Sequence, residues 1–358
     1  MIATYVEQNR KAEIDWSDPE QRVAQLKVLV QDAGTVLDMA AENSEDAELR
    51  TWAWLLTKIL GDDIVDDDDG DPQIGEGTAP DRIISVTDPD MRHGRKSRAH
   101  RFDGFKVSVS SEPTSDLILD IVDVTARGSD GQHLMAMVRR TEAESGVTVE
   151  RVLGDGAYGS GANLEACAEY PDHPIDLVTP RRRPADPEVH KSAFQIDLQE
   201  WTATCAEGHT VFGRDRRDRR GRPILEFTFS RETCERCRLF DRCVRSKTKG
   251  RTVKTSAYEA YLQAQRQRQQ TAEFQTLYRQ RSRVERILAE LVYHGLCRTR
   301  YVGQSKRQLQ RVWTGAAVNL KRLFRLAEAQ KIDLRVALRQ VRPSWIGPPL
   351  AACGSPAG

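Results

Sequence analysis

Apolar side chains recur at helical spacing over residues 17–40, where Val23, Leu26, Leu29, Val30, Ala33, Val36 and Leu37 fall on one face. Ser17, with Glu20 three residues on, reads as the capping box that opens this helix. A second helix is expected over 46–60. Residues 62–71 are almost purely acidic, with Asp66 to Asp69 in succession, and read as a solvated linker. After Pro80 the texture turns to strands: 83–86, 105–110 and 117–124 are short, β-branched or aromatic, and separated by turn formers. A helix is expected over 131–145, then a buried-type strand over 149–153 that runs into Gly154-Asp155-Gly156. A helix over 161–169 and a strand over 175–178 follow. Strands in meander, then alternating helices and strands, predict an α/β fold with a mixed sheet flanked by helices. Arg, Pro, Gly and Cys dominate 180–255; a long polar helix or helix pair is expected from 256 to about 292, and another helix over 306–330.

The chain therefore divides into a helical segment (1–61), an acidic linker (62–80), core strands and helices (81–180), a basic Cys-rich insertion (181–255), C-terminal helices (256–330) and a partly disordered tail (331–358). Its 358 residues suffice for one large domain or two modest ones. No apolar run approaches the roughly 20 residues of a membrane helix, and nothing at the N-terminus reads as a signal peptide, which places the protein in the cytoplasm. The net charge of +1 conceals an asymmetry: residues 1–80 hold 6 Lys/Arg against 19 Asp/Glu, whereas 201–300 hold 23 against 11. The basic block is either a solvated surface or, as the preference for Arg over Lys favours, the footprint of a polyanion.

Candidate chemistry sits at three places. Asp155 follows an apolar strand between glycines, where α/β sheets place ligands, although turn aspartates are also common there. Tyr278, Arg281 and Glu285 fall at i, i+3 and i+7, one face of a helix; a glutamate among arginines is otherwise a surface ion pair. Cys205, Cys234, Cys237 and Cys243 supply four thiolates, enough for one tetrahedral structural zinc, with His209 as an alternate ligand. Plain buried thiols are the rival reading.

Together these residues resemble bacterial insertion-sequence transposases with an RNase H-like DDE domain. The matching pieces begin with Thr87-Asp88-Pro89-Asp90-Met91-Arg92-His93-Gly94, Phe102-Asp103-Gly104-Phe105-Lys106, and Val124-Thr125 with Asp130. They continue with Gly154-Asp155-Gly156-Ala157-Tyr158-Gly159, the Cys-x2-Cys block, Tyr278-x2-Arg281-x3-Glu285, Arg298-x-Arg300-Tyr301 and Ala317-Val318-Asn319-Leu320. The resemblance runs from about Asp15 to Leu326.

It implies metal-dependent cleavage and strand transfer of an insertion sequence. Three carboxylates would hold two Mg²⁺ (or Mn²⁺) ions about 3.5–4 Å apart, on double-stranded DNA and as a homo-oligomer. Asp155 would be the second acid, Glu285 the third, and Asp88 a candidate first acid. Tyr278, Arg281, Arg283, Arg298 and Arg300 would contact DNA. Two departures stand out: Val292 occupies a position where the family has lysine, and relatives carry their first acid upstream of the Thr87-Asp88-Pro89-Asp90 block. On that comparison the chain lacks an N-terminal segment, and the alternative is a truncated, inactive fragment that binds DNA or a full-length partner as a regulator. A nuclease on the same scaffold, or a zinc-ribbon DNA-binding protein, are further rivals.

Overall fold

Helix α1 (Pro19–Glu42) starts one residue later than the capping box would place it. Pro19 presets the first helical φ, which makes Asp18 the cap; its carboxylate accepts the backbone N–H of Glu20 at 2.9 Å. Ser17 instead donates its hydroxyl to Asp15 at 2.6 Å. Asp46 caps α2 (Ala47–Asp63) in the same way. The acidic stretch that follows is not a bare linker: β1 (Ile64–Asp66) and β2 (Pro72–Ile74) pair antiparallel across it. Asp67 organises the turn by accepting the N–H groups of Asp69 and Asp71 at 3.0 and 2.8 Å. Acidic side chains here cap backbone donors as well as meeting solvent.

The computed structural model describes residues 14–333, apart from 16, 44, 80, 97, 98 and 247. The expected tail lies outside them beyond residue 333. The described residues form two compact units, each assembled from separated segments: those up to 107, 123–128 and 299–309 in one, 108–122, 129–298 and those from 310 onward in the other.

Residues 83–86 form no strand. Ile83 is buried, but its N–H is directed at the Asp62 carboxylate rather than at a neighbouring strand. The strand of this region is β3 (Arg92–Arg95), antiparallel to β4 (Arg101–Ser111), and β5 (Ile118–Thr125) completes a sheet ordered β3-β4-β5. The single mixed sheet expected from the sequence resolves as separate ladders. β6 (Arg151–Leu153) and β7 (Asp176–Val178) form their own parallel pair. Helices α3 (Leu134–Ser145) and α4 (Gly161–Ala168) supply Leu134, Val138, Leu164 and Cys167 to a core with Ile175 and Leu177. The mixed α/β character holds.

Residues 181–255, despite their polarity, carry a sheet and a core. Strands β8 (Gln195–Asp197), β9 (Thr202–Thr204), β10 (Thr210–Arg217), β11 (Pro223–Thr228) and β12 (Thr252–Lys254) are ordered β12-β11-β10-β9-β8. Short helices α5 (Arg231–Glu235) and α6 (Phe240–Cys243) interrupt between β11 and β12. Phe194, Ala203, Phe227, Phe229 and Val253 are buried together beneath them.

The long polar helix breaks into α7 (Glu259–Arg268), α8 (Ala272–Arg279) and α9 (Ser282–Tyr293). Thr271 explains the first break, because its hydroxyl caps α8 by accepting the Phe274 N–H. In α10 (Gln304–Gln330), Asn319 uses both ends of its amide on β5, accepting the Ile118 N–H at 2.8 Å and donating to the Ile118 carbonyl at 2.7 Å. Among the described residues no helix is long and apolar enough to cross a membrane.

Candidate active site

β6 ends at Leu153, but the Gly154 N–H still bonds the Val178 carbonyl at 3.1 Å, so Asp155 is the first residue off the ladder. Its carboxylate accepts the Ala157 N–H at 2.8 Å, and its carbonyl accepts the Tyr158 N–H at 3.1 Å. The glycines around it answer to close packing. A Cβ on Gly159 would stand 2.6 Å from the Thr179 hydroxyl, and one on Gly154 would stand 2.9 Å from Tyr158 Cβ. Asn163 pins the loop from below by donating to the carbonyls of Tyr158 and Gly131, both at 2.9 Å.

Glu285 lies in the first turn of α9. Between α8 and α9 the backbone stays right-handed but its bonds tighten to i→i−3: Arg281 N–H to Tyr278 O at 3.0 Å and Val284 N–H to Arg281 O at 3.1 Å. The expected single helix face is thus divided. Tyr278 belongs to α8, where it stacks on Phe274 at 5.8 Å; Arg281 is the junction; and Glu285 opens the next helix. Ile287 and Leu291 are buried as the apolar pattern demands, and Val292 is exposed.

The junction brings the two carboxylates to one cation. Arg281 Nη2 is 3.0 Å from Glu285 and 3.8 Å from Asp155, whose side chains are 56% and 43% exposed. A cation at the N-terminus of a helix opposes the helix dipole by about 0.3–1 kcal/mol, and Arg before Glu is the poorer i,i+4 order. Arg281 is therefore placed against local helix electrostatics, and its acidic neighbours are what hold it. Residues 204–324 match the family model of the transposase DDE domain. No curated protein and no solved structure matches the chain. The matched span holds Tyr278, Arg281, Glu285, Arg298, Arg300 and the four clustered cysteines, and it covers less than half of the chain. Asp155 and Asp88 lie outside it.

Asp88 belongs to the other unit and has a different environment. Both of its oxygens accept from Arg307 Nη1, at 3.0 and 3.1 Å. The same guanidinium reaches Asp90 at 3.2 Å and Asp123 at 3.3 Å and lies over the Phe105 ring at 3.6 Å. Arg307 is only 2% exposed. Nothing in the local sequence marks this residue, because its three partners lie about two hundred positions away in the chain.

The remaining candidates are distributed as follows. Arg283 donates to the Pro113 carbonyl and faces Asp116 at 3.8 Å, so its charge is partly engaged within the fold. Arg298 and Arg300 are exposed in the stretch after α9. Cys205 sits in the β9–β10 turn, where the Cys205 N–H bonds the His209 carbonyl at 2.9 Å. Together with Cys234, Cys237, Cys243 and His209 it lines a cavity of about 30 Å³. Two of the sulfurs accept backbone N–H groups: Cys237 from Leu239 at 3.3 Å and Cys234 from Arg251 at 3.4 Å. Burial pushes the Cys243 thiol up from its ordinary value. Among the described residues no three His, Cys, Asp or Glu side chains stand close enough as placed to share a metal ion.

Proposed function

We propose that this protein cuts and joins DNA as a transposase of the insertion-sequence type, with Asp155 and Glu285 as two of its acids. The observation that carries it is the convergence of these carboxylates, from a strand end and from a separate helix, on one arginine in a solvent-accessible site. The match of the C-terminal part to a transposase DDE domain supports the same reading. Exposed carboxylates with spare lone pairs fit one side of a divalent-metal site, whereas the Asp88 carboxylate is buried and already paired with the Arg307 cation. We therefore read Asp88 as a structural residue.

A divalent ion bound by Asp155 and Glu285 would polarise the phosphate and activate the attacking oxygen. The chain's own contribution is positional. The glycine-packed loop fixes Asp155, α9 fixes Glu285, and Arg281 keeps two like charges close together and offers donors to a phosphate oxygen. Tyr278, Arg283 and Arg298 of the same unit are read as meeting DNA, and Arg300 of the other unit as a separate DNA contact. The four thiols are read as a structural zinc site. Their thiol chemistry and shared cavity suit zinc, and ligation would have to draw the sulfurs together.

The test uses the full chain with labelled duplex ends in the presence of Mg²⁺ or Mn²⁺. Asp155→Asn removes a ligand worth several kcal/mol of transition-state stabilisation, so cutting is expected to fall roughly 10²-fold or more while duplex binding persists. Unchanged cutting by Asp155→Asn would refute the assignment of the acid. Duplex binding without any cutting by the unsubstituted chain would favour the alternative, a DNA-binding regulator.

A further inference from the structure

The register of β10 and β11 leaves part of this hairpin standing beyond its sheet. The two strands pair from Gly213↔Phe227 to Arg217↔Pro223. β9 leaves β10 after Phe212, and β12 accompanies β11 only from Glu226 onward. Residues 215–225 thus continue as a two-stranded ribbon, with Arg214 at its root, opposite Glu226. Its tip is closed by paired backbone bonds, Asp218 N–H to Arg222 O at 2.9 Å and Gly221 N–H to Asp218 O at 3.0 Å, with Gly221 at φ +77°. The Asp218 carboxylate accepts the N–H groups of Arg220 and Arg222 at 2.8 and 3.0 Å. The β11 side is moored as well. Leu225 exchanges bonds with Thr255 at 2.7 and 2.9 Å, and Arg222 lies over the Tyr258 ring at 4.7 Å.

This braced ribbon carries arginine at 216, 217, 219, 220 and 222, and Arg214 stands at its root. Arg222 is engaged by Asp218 at 2.7 Å, Arg217 by the Gly221 carbonyl at 2.7 Å, and Arg216 faces Glu226 at 3.6 Å. The exposed side chains of Arg214, Arg219 and Arg220 have no hydrogen bond or ion pair among the described residues. A two-stranded ribbon is marginal by itself, and like charges along it oppose its own folding. Shielding a sheet edge from aggregation needs only a charge or two. A braced ribbon whose tip presents two arginines without partners fits an external polyanion. The major groove of B-DNA, about 12 Å wide, admits a two-stranded β-ribbon, and guanidinium groups match phosphate geometry.

We infer that the β10–β11 ribbon is a DNA-docking arm that seats in a groove of duplex DNA, with Arg214, Arg219 and Arg220 on flanking phosphates. It rests on the reading of the chain as a DNA-acting protein, but not on its cutting chemistry. The test measures the binding of the full chain to a duplex of about 30 base pairs by fluorescence anisotropy, as a function of salt. Each phosphate contact contributes about 0.9 to the slope of log affinity against log salt. The triple substitution Arg214→Gln, Arg219→Gln, Arg220→Gln is therefore expected to flatten that slope by about 2–3 and to weaken binding roughly tenfold or more near 0.1 M salt. The corresponding triple lysine variant should keep most of the slope, and the single Arg219→Gln should remove about one contact's share. A slope unchanged in the glutamine variants overturns the arm, even if the unsubstituted chain cuts DNA. A flattened slope supports the arm, even if the chain cuts nothing and the transposase reading fails.

Discussion

Arg307 holds three carboxylates on one guanidinium, closed on one face by the Phe105 ring. Two of the partners, Asp88 and Asp123, are themselves nearly enclosed. Removing one member of a buried ion pair costs about 3–5 kcal/mol, because the survivor is left charged and without a counter-ion. Arg307→Met preserves volume but strands these acids, so urea denaturation should show a loss of that size or an unfolded protein. Asp88→Asn leaves Arg307 two other acids and should cost less, about 1–2 kcal/mol. Stability unchanged in Arg307→Met would mean that the cluster is not holding its unit together, and Asp88 would return as a candidate acid. Asp155 is the opposite case, exposed and at 3.8 Å from its cation, where substitution should leave stability almost untouched. That contrast separates an acid that serves the fold from one available for chemistry.

At the scale of elements, the Cys-rich segment is the place where ligand chemistry and packing meet. Cys205, Cys234 and Cys243 pack against the Phe194–Phe229 core while bordering the cavity they share with Cys237. If zinc closes this site, purified full-length protein should hold about one equivalent and give thiolate-to-cobalt absorption after exchange. Cys234→Ser should abolish both, whereas Cys297→Ser, at an exposed thiol outside the cavity, should change neither. Metal-free protein without a cobalt signal would leave four half-buried thiols and no site.

Helix α10 was legible in advance because its pattern is long and consistent, and strands β4 and β5 because β-branched and aromatic residues stand there between turn formers. The capping of α1, the hairpin inside the acidic run and the breaks around α8 were not. Each is decided by one polar side chain, Asp18, Asp67 or Thr271, choosing a backbone partner that periodicity does not record. The missing strand at 83–86 has a related cause: β-branched composition fits a half-buried surface, but a strand also needs a neighbour to pair with. At the candidate site, the sequence marks Asp155 and Glu285 as candidates from their contexts, but not that both stand within 3.8 Å of Arg281, which depends on tertiary placement.

Across the whole molecule, opposite charges are segregated along the chain rather than mixed. The first 80 residues hold 19 acidic against 6 basic side chains, 201–300 hold 23 basic against 11 acidic, and the total is +1. A nearly neutral total gives little mutual repulsion to keep copies apart, while acidic and basic stretches on different copies attract. That attraction reaches across the Debye length, which shrinks from about 30 Å at 0.01 M salt to about 3 Å at 1 M. Near neutral pH the protein should therefore scatter light at about 0.01 M salt and clear as salt rises to about 0.5 M, a salting-in response. Duplex DNA at low salt should clear it too, because the DNA competes for the basic stretches. Turbidity that grew with salt would point instead to apolar association, which salt does not screen and some salts strengthen. Exposed aromatics such as Trp313 and Phe324 of α10 would then be the surfaces to substitute.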